Sequence, residues 1–480
     1  MGLIVFLLLA GLEIALAVRN SAKNRLIIHA VQAAVVILAM LLPFGQKWRF
    51  VPVLGLLALL VLIALIRFIL WKRKSGSDTK AGETELNAVE STAPATKAGR
   101  AKPKAGTIVS CVLCILLFGI FLMPAFIFTG YKGLPVTGDY KIEEASAILI
   151  DRSRTDPFEQ DGSYREVPVH FYYPETDGSE SSGDSAERYP LVIFSHGAFG
   201  YYQSNTSTYM ELASNGYVVA ALDHPHHAFF AEDTDGKTVI VDQGFLNDAM
   251  QASGEGLEEN AQQSLDRSRE WMALRTADMG FALDEIKRAA ADGAPDDSWF
   301  FKDKDSSSAV ISLLKMTDTA KIGLMGHSMG GATSVALGRE RDDVTAVVDI
   351  DGTMLSEYTG IENGMLTVNE EPYEVPVLEF VNWEQYKELA EFLEEYRAKG
   401  GRYPNDELMR HAAAGFTTTV RDTKHMDFTD LPLLSPFLGK MLGSGERDKA
   451  ETMTIVNDLV LHFYDCYLKG EGTFAVQDSY

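Results

Sequence analysis

Apolar residues follow two regimes along this chain. Before residue 130 they come in long unbroken runs: Leu3–Val18, Leu26–Phe44, Val51–Leu70 and Ile108–Phe128. About 20 such residues cross a hydrocarbon layer as a helix, and three of the four runs are near or above that length. The pattern predicts an N-terminal bundle of about four transmembrane helices, three within 1–70 and a fourth within 107–130. Glu13, His29 and Gln32 interrupt the runs. Polar groups at such depth face a bundle interior and pair there, so Glu13 and His29 are expected in contact. The first run has no positive residue before it and Arg19, Lys23 and Arg25 after it, the pattern of an anchor rather than a cleaved leader. Residues 71–106 are rich in Lys, Ala, Gly, Thr and Glu without apolar periodicity, which predicts a disordered basic linker.

After residue 140 the apolar runs are short. Arg165–Tyr173 alternates as a half-buried strand does, and a polar loop, Glu175–Glu187, follows. Leu191–Phe194, Tyr217–Leu222, Lys321–Met325, Val344–Ile350, Val375–Val381 and Phe416–Val420 are continuous apolar segments of the buried-strand kind. Between them lie helical patterns. In Gln262–Ala290 the residues Leu265, Met272, Met279, Leu283 and Ile286 form one stripe, expected to be core. Glu384–Arg397 reads as a charged helix and Ala450–Leu468 as a terminal amphipathic one. Phe229–Asn260 is acidic and reads as a lid-like surface excursion. Strands alternating with helices predict one unit over 140–480, an α/β fold with a mostly parallel sheet and helices on both faces. Active groups then belong at the C-terminal ends of the strands.

Charge divides the chain again. Residues 1–130 hold 14 Lys and Arg against 5 Asp and Glu; the rest hold 29 against 62, within a net charge of −24. An acidic soluble part excludes nucleic acid as a partner and argues against anionic lipid surfaces. The basic flanks of the linker and the Arg19–Arg25 loop predict that both are cytoplasmic, with the 140–480 unit outside. Lys47 and Arg49 fall on the outer side in this topology. Cys111 and Cys114 sit one helical turn apart in the fourth run and read as packing residues; Cys466 alone lies in the soluble part, which therefore has no internal disulfide.

The chemistry centres on Gly326-His327-Ser328-Met329-Gly330-Gly331. A buried strand precedes it and the helix-tolerant Ala332–Leu337 follows. Strand, Gly-x-Ser-x-Gly, then helix is the context in which a serine is lifted clear of a sheet on a strained turn. A Cβ at Gly326 or Gly330 would clash or forbid the backbone angles. A serine nucleophile needs a base, and the base an orienting carboxylate. Asp351 is the expected acid, 23 positions after Ser328 where a strand gives way to Gly352; Asp349, on the same strand face, and Glu384 are the alternatives. Downstream histidines are His411, His425 and His462. His425 follows the strand Phe416–Val420 by a short loop and is the expected base, while His462 belongs to the terminal helix. Backbone N–H groups of Met329 and of Ala198, or its neighbour Gly197, are the expected oxyanion donors. His196 reads as a loop brace. The Asp223–His227 cluster matches no common zinc spacing and reads as pocket rim; no metal and no cofactor are expected.

Residues from about 165 to 470 resemble the α/β-hydrolase superfamily, and within it the platelet-activating factor acetylhydrolase (plasma/isoform II) family. The resemblance is carried by Phe194-Ser195-His196-Gly197, Gly326–Thr333, Asp351 soon after the nucleophile, and His425-Met426-Asp427-Phe428-Thr429-Asp430. It implies a calcium-independent esterase that removes short or oxidised acyl chains from phospholipids, with Ser328, Asp351 and His425 as triad. The membrane runs, the acidic excursion and the charged helix before His425 depart from that family's pattern. A broader carboxylesterase, lipase or peptidase is the alternative within enzymes. A membrane sensor whose hydrolase-like domain binds without turnover is the alternative outside them. Oligomeric state has no signature in the chain.

Overall fold

The computed structural model describes residues 1–41, 47–81, 105–128, 130–175, 188–255 and 260–480, with the backbone alone for 75–81, 253–255 and 389–392. The chain forms two compact units, Met1–Lys132 with Leu434–Leu438, and Gly133–Leu433 with Gly439–Tyr480.

The first unit contains helices Gly2–Val18, Ala22–Leu41, Val51–Ala81 and Ala105–Phe121. Among the described residues, two stretches are long and apolar enough to cross a membrane, Ala22–Leu41 and Lys47–Lys74; Gly2–Val18 and Ala105–Phe121 are shorter apolar helices of 17 residues each. The run expected to reach Phe128 as one helix breaks at Leu122. Pro124 stands in the first turn of a separate short helix, Met123–Ile127. Its missing N–H and its ring cannot continue the preceding ladder. The expected linker also starts later than 71, because the third helix extends to Ala81. Extending a formed helix by one residue is far easier than starting one, and Lys and Arg are good helix formers. Residues 82–104 of that linker, and 176–187 of the expected polar loop, lie outside the described residues. Inside the unit, Glu13, His29 and Gln32 are buried together. Gln32 Nε2 donates to Leu9 O at 3.0 Å and to Glu13 Oε2 at 3.4 Å, and His29 Nδ1 lies 2.8 Å from Gln32 Oε1 and 3.9 Å from Glu13 Oε2. The glutamine thus bridges the expected pair.

The second unit is built on a nine-stranded sheet. Its strands are β1 (Ile142–Thr155), β2 (Tyr164–Pro174), β3 (Tyr189–Ser195), β4 (Val218–Leu222), β5 (Trp299–Phe300), β6 (Thr317–His327), β7 (Val344–Ile350), β8 (Val377–Asn382) and β9 (Gly415–Val420), in the spatial order β9-β8-β7-β6-β3-β4-β2-β1-β5. From β9 to β4 all neighbours are parallel; β4–β2, β2–β1 and β1–β5 are antiparallel. β1 and β5 lie at the antiparallel edge and were not expected. Charged and small polar residues break the apolar signal of β1, and β5 has only two residues.

Alternation within β3 explains why it reads as continuously apolar. Leu191 and Ile193 enter one core with Met279, Leu283 and Ile286 of the helix Ala261–Asp292; Val192 and Phe194 enter the other, with Tyr209 and Leu212 of Thr206–Ser214 and Val456 and Val460 of Lys449–Tyr464. Each fully buried side chain of this kind contributes roughly 1.5–3 kcal/mol of transfer free energy. The stripe expected as one core splits into three. Leu265 packs with Tyr358 and Val368, Met272 with Met329 and Ala332, and only the C-terminal part covers the sheet. A helix of 32 residues is roughly 48 Å long, and a β-strand of seven spans about half that, so the helix overshoots its sheet. This mixed sheet with helices on both faces fits an α/β-hydrolase.

Candidate active site

The parallel strands end together, and the turns beyond β3, β6, β7, β8 and β9 carry the polar groups expected of a site. β6 ends at His327 and a helix starts at Met329, so Ser328 alone makes the turn, with φ 54° and ψ −124°. A non-glycine residue in that region is strained and persists only where its surroundings force it. Here Ser328 N donates to Ile350 O at 2.8 Å and Ser328 O accepts from Ala332 N at 3.1 Å. The motif glycines are required by close approach, not by φ: neither Gly326 nor Gly330 has a positive φ. A Cβ on Gly326 would lie 2.2 Å from the Gly330 carbonyl, and one on Gly330 would lie 1.9 Å from Ser195 O.

Asp351 follows directly on β7 with φ 62°, and this left-handed residue ends the strand alternation. The expected shared face with Asp349 is therefore lost. Asp349 stays in the sheet, fully buried, with Oδ1 accepting from Gly352 N at 2.9 Å, and burial beside Glu379 pushes its carboxyl well up. Asp351 turns outward to His425, whose Nδ1 lies 2.6 Å from Asp351 Oδ2. Asn382, at the end of β8, donates to Asp351 Oδ1 from its backbone N at 2.6 Å and to Oδ2 from Nδ2 at 2.9 Å. Burial by itself would raise the Asp351 carboxyl, but the His425 hydrogen bond and charge and the Asn382 donors outweigh it and hold it below the ordinary carboxylate range. Glu384 is drawn off to the surface, 2.6 Å from Lys424 Nζ. His411 ends the helix Pro404–His411, and His462 pairs with Asp458 on the surface of the terminal helix.

His425 begins a single 3-10 turn, His425–Phe428. Asp427 anchors it, accepting at Oδ2 from Lys424 N at 2.9 Å and from Gly445 N at 2.6 Å. The ring of His327, next to Ser328, lies 4.6 Å from the ring of His425, and His327 Nε2 lies 3.3 Å from His425 O. Burial drops the His327 imidazole to about 3, so it stays neutral. Among the described residues the Ser328 hydroxyl makes no hydrogen bond, and His425 uses only Nδ1 of its ring nitrogens. The His425 side chain is 43% exposed.

On the other flank, β3 ends at Ser195 and the turn His196–Phe199 packs against Ser328. A Cβ on Gly197 would lie 3.2 Å from Ser328 Cβ. Ala198 and Met329 share one apolar cluster with Phe245 and Trp271. Phe245 comes from Gln243–Glu255, the helix of the acidic excursion, which also holds the hairpin Phe230–Glu232/Thr238–Ile240. His196 braces the turn: Nδ1 lies 2.7 Å from Gly197 O and Nε2 accepts from His224 N at 3.2 Å.

Asp223–His227 does not converge. Asp223 Oδ1 accepts from Tyr202 N at 2.7 Å, His224 sits between Ser195 Oγ at 2.9 Å and Asp278 Oδ2 at 3.1 Å, His226 stacks on Phe158 and His227 on Phe245. Asp223 lines a cavity of about 660 Å³ with His170 and Tyr202, and His226 lines a separate smaller one; neither lining includes Ser328, Asp351 or His425.

Two groups of residues had no sequence signal. Asn382 stood only among polar residues near the end of a strand. Arg275 and Asp278 lie beside the apolar stripe of their helix, where charge is not expected, and both are fully buried.

A family model described as platelet-activating factor acetylhydrolase, isoform II, matches residues 173–479. A platelet-activating factor acetylhydrolase of Gallus gallus is 24% identical over 324 residues, covering 63% of this chain and 67% of that protein. One of Canis lupus familiaris is 22% identical over 309 residues, covering 62% of this chain and 61% of that protein. One of Bos taurus is 25% identical over 210 residues, covering 40% of this chain and 42% of that protein. A solved ferulic acid esterase from Streptomyces cinnamoneus is similar at a TM-score of 0.49 and 20% identity, over 71% of this chain and 93% of that one.

Proposed function

The chain belongs to the platelet-activating factor acetylhydrolase isoform II family, and from that premise we propose that it is a membrane-anchored serine ester hydrolase acting on short or modified acyl esters of phospholipids. The observation that carries the reading is the 2.6 Å bond between Asp351 and His425 beside the strained Ser328 turn. Asp351 keeps the His425 proton on Nδ1, which leaves Nε2 as the acceptor. Nε2 takes the Ser328 proton as the hydroxyl attacks the ester carbonyl; such contacts are often long without substrate and tighten when it binds. The backbone N–H groups of Met329 and Ala198 receive the oxyanion. His425 then passes its proton to the departing alcohol, and water repeats the sequence on the acyl-enzyme.

Two helices of the first unit long and apolar enough to cross a bilayer, Ala22–Leu41 and Lys47–Lys74, support an integral membrane anchor; the two helices of 17 residues fall short of that length. The basic residues around 72–74 and 102–104 support a cytoplasmic linker and an outer catalytic unit. External protease on intact cells should clip the catalytic unit; full protection would reverse that topology.

The test of the chemistry is direct. The full-length chain in detergent should be labelled by a fluorophosphonate probe and should hydrolyse phospholipids, faster as the second acyl chain shortens. Ser328→Ala should abolish both. Labelling retained in that variant, or preference for peptide amides over esters, would overturn the proposal.

A further inference from the structure

A wholly buried polar cluster lies behind the turn His196–Phe199. Arg275 is at its centre. Its Nη1 donates to His196 O at 2.5 Å, its Nη2 to Gly197 O at 3.2 Å, and its Nε to His227 Nδ1 at 3.3 Å. Among the described residues no carboxylate lies within 4 Å of it. The neighbouring Asp278 is engaged elsewhere, with Arg165 at 2.7 and 3.1 Å, Arg154 at 3.0 Å and His224 at 3.1 Å. Burial pulls the Arg275 guanidinium down to about 9, which still leaves it charged at neutral pH. Asp278 acts on it only through space, and its direct hydrogen bonds go to two carbonyls and one imidazole nitrogen, so a use for the charge lies with these neighbours.

The peptide group supplies one. Within a trans peptide the C=O and N–H point in opposite directions. Arg275 holds the Gly197 carbonyl together with His196 Nδ1 at 2.7 Å and Gly200 N at 3.1 Å, so the N–H of the same peptide, which is Ala198 N–H, is turned away from Arg275. Gly197 lies against Ser328, where a Cβ on it would come within 3.2 Å of Ser328 Cβ, and Ala198 N–H donates to no group among the described residues. We propose that Arg275 is the positioning residue of the oxyanion site. Its fork fixes the His196 and Gly197 carbonyls, aims the Ala198 N–H at the developing oxyanion beside Ser328, and polarises that donor with a buried charge. The proposal deepens the esterase reading and rests on Ser328 being the nucleophile. Donors fixed in advance and aimed at developing charge act mainly on the transition state. Arg275 should therefore set kcat and leave KM nearly alone.

The experiment compares full-length wild type, Arg275→Lys and Arg275→Met in detergent, with p-nitrophenyl acetate as substrate. Active sites are counted by fluorophosphonate labelling run to completion. kcat per labelled site should fall roughly 10- to 100-fold, less in Arg275→Lys than in Arg275→Met, with KM within about threefold and the labelling rate constant falling in parallel. A role in folding alone would lower the number of labelled sites and leave kcat per site unchanged, and that result overturns the proposal. If Arg275→Met fails to fold, Arg275→Lys decides, because it keeps the charge but cannot hold two carbonyls in a fork. A wild type that neither labels nor hydrolyses the ester removes the parent reading and this one with it; an active wild type with variants normal per site removes this one alone.

Discussion

Replacing Asp351 by Asn changes one atom in the carboxyl group, and the structure says which way the new amide must face. Four donor contacts converge on the carboxylate: Asn382 N at 2.6 Å and Asn382 Nδ2 at 3.2 Å on Oδ1, His425 Nδ1 at 2.6 Å and Asn382 Nδ2 at 2.9 Å on Oδ2. The backbone N–H of Asn382 can only donate and cannot rotate. The oxygen of the introduced amide must therefore stay on that side, and its NH₂ must face His425. The imidazole answers by accepting at Nδ1, which moves its proton to Nε2, the nitrogen needed to take the proton of Ser328. A base in the wrong tautomer loses about three to four orders of magnitude in kcat, equivalent to about 4–5.5 kcal/mol of barrier. The assay is kcat for p-nitrophenyl acetate, with near-ultraviolet circular dichroism to show that the fold is kept. Asp349→Asn is the contrast. Asp349 accepts one bond, from Gly352 N, which an amide oxygen keeps, so its kcat should stay within about threefold of wild type. An Asp351→Asn enzyme within tenfold of wild type, or an Asp349→Asn enzyme crippled in its place, would refute the reasoning.

The remaining expectations concern stability. Burial pushes the Glu379 carboxyl up to about 7 despite its bonds from Asn405 Nδ2 and Thr417 Oγ1. Its folded value exceeds its unfolded one, so the folded state holds the extra proton between about pH 4.5 and 7 and loses stability as pH rises through that window, by about 3 kcal/mol. Asp430, pushed up by burial to about 6, adds a slope of the same sign. The thermal midpoint of wild type relative to that of Glu379→Gln should fall from pH 5 to pH 8, since the buried histidines are common to both proteins and cancel in the difference; parallel profiles would count against the assignment. Gly330→Ala drives a Cβ to 1.9 Å from the backbone oxygen of Ser195, where no side chain can yield. It should destabilise the fold by about 3 kcal/mol or more, read as a lowered thermal midpoint; an unchanged midpoint would mean that the turn is looser than described.

Much of the site was legible in the chain because its signals are local. A continuous apolar run, two small residues around a serine and a helix-tolerant segment lie within about 20 residues, and together they define the turn at Ser328. The strand before Asp351 and the short loop before His425 are likewise read from their own neighbours. Two-faced burial explains why the strands showed as unbroken runs, and β1, interrupted by Glu143, Glu144, Ser146, Asp151 and Arg152, did not.

The order of residues was enough to set the periodicities: long apolar runs at one end, buried parallel strands at the other, and Ser328, Asp351 and His425 each at a strand end. Which atoms meet was settled by folding. Asn382 reaches Asp351 across 31 residues and Arg275 reaches His196 across 79, and no local pattern records a partner at that distance. Packing also overrode alternation at Asp351 and the single stripe along the helix Ala261–Asp292, through a left-handed residue in one case and the finite length of a strand in the other. Local propensity acts over a few residues, whereas a buried charge finds its partners only when the sheet has brought remote turns together.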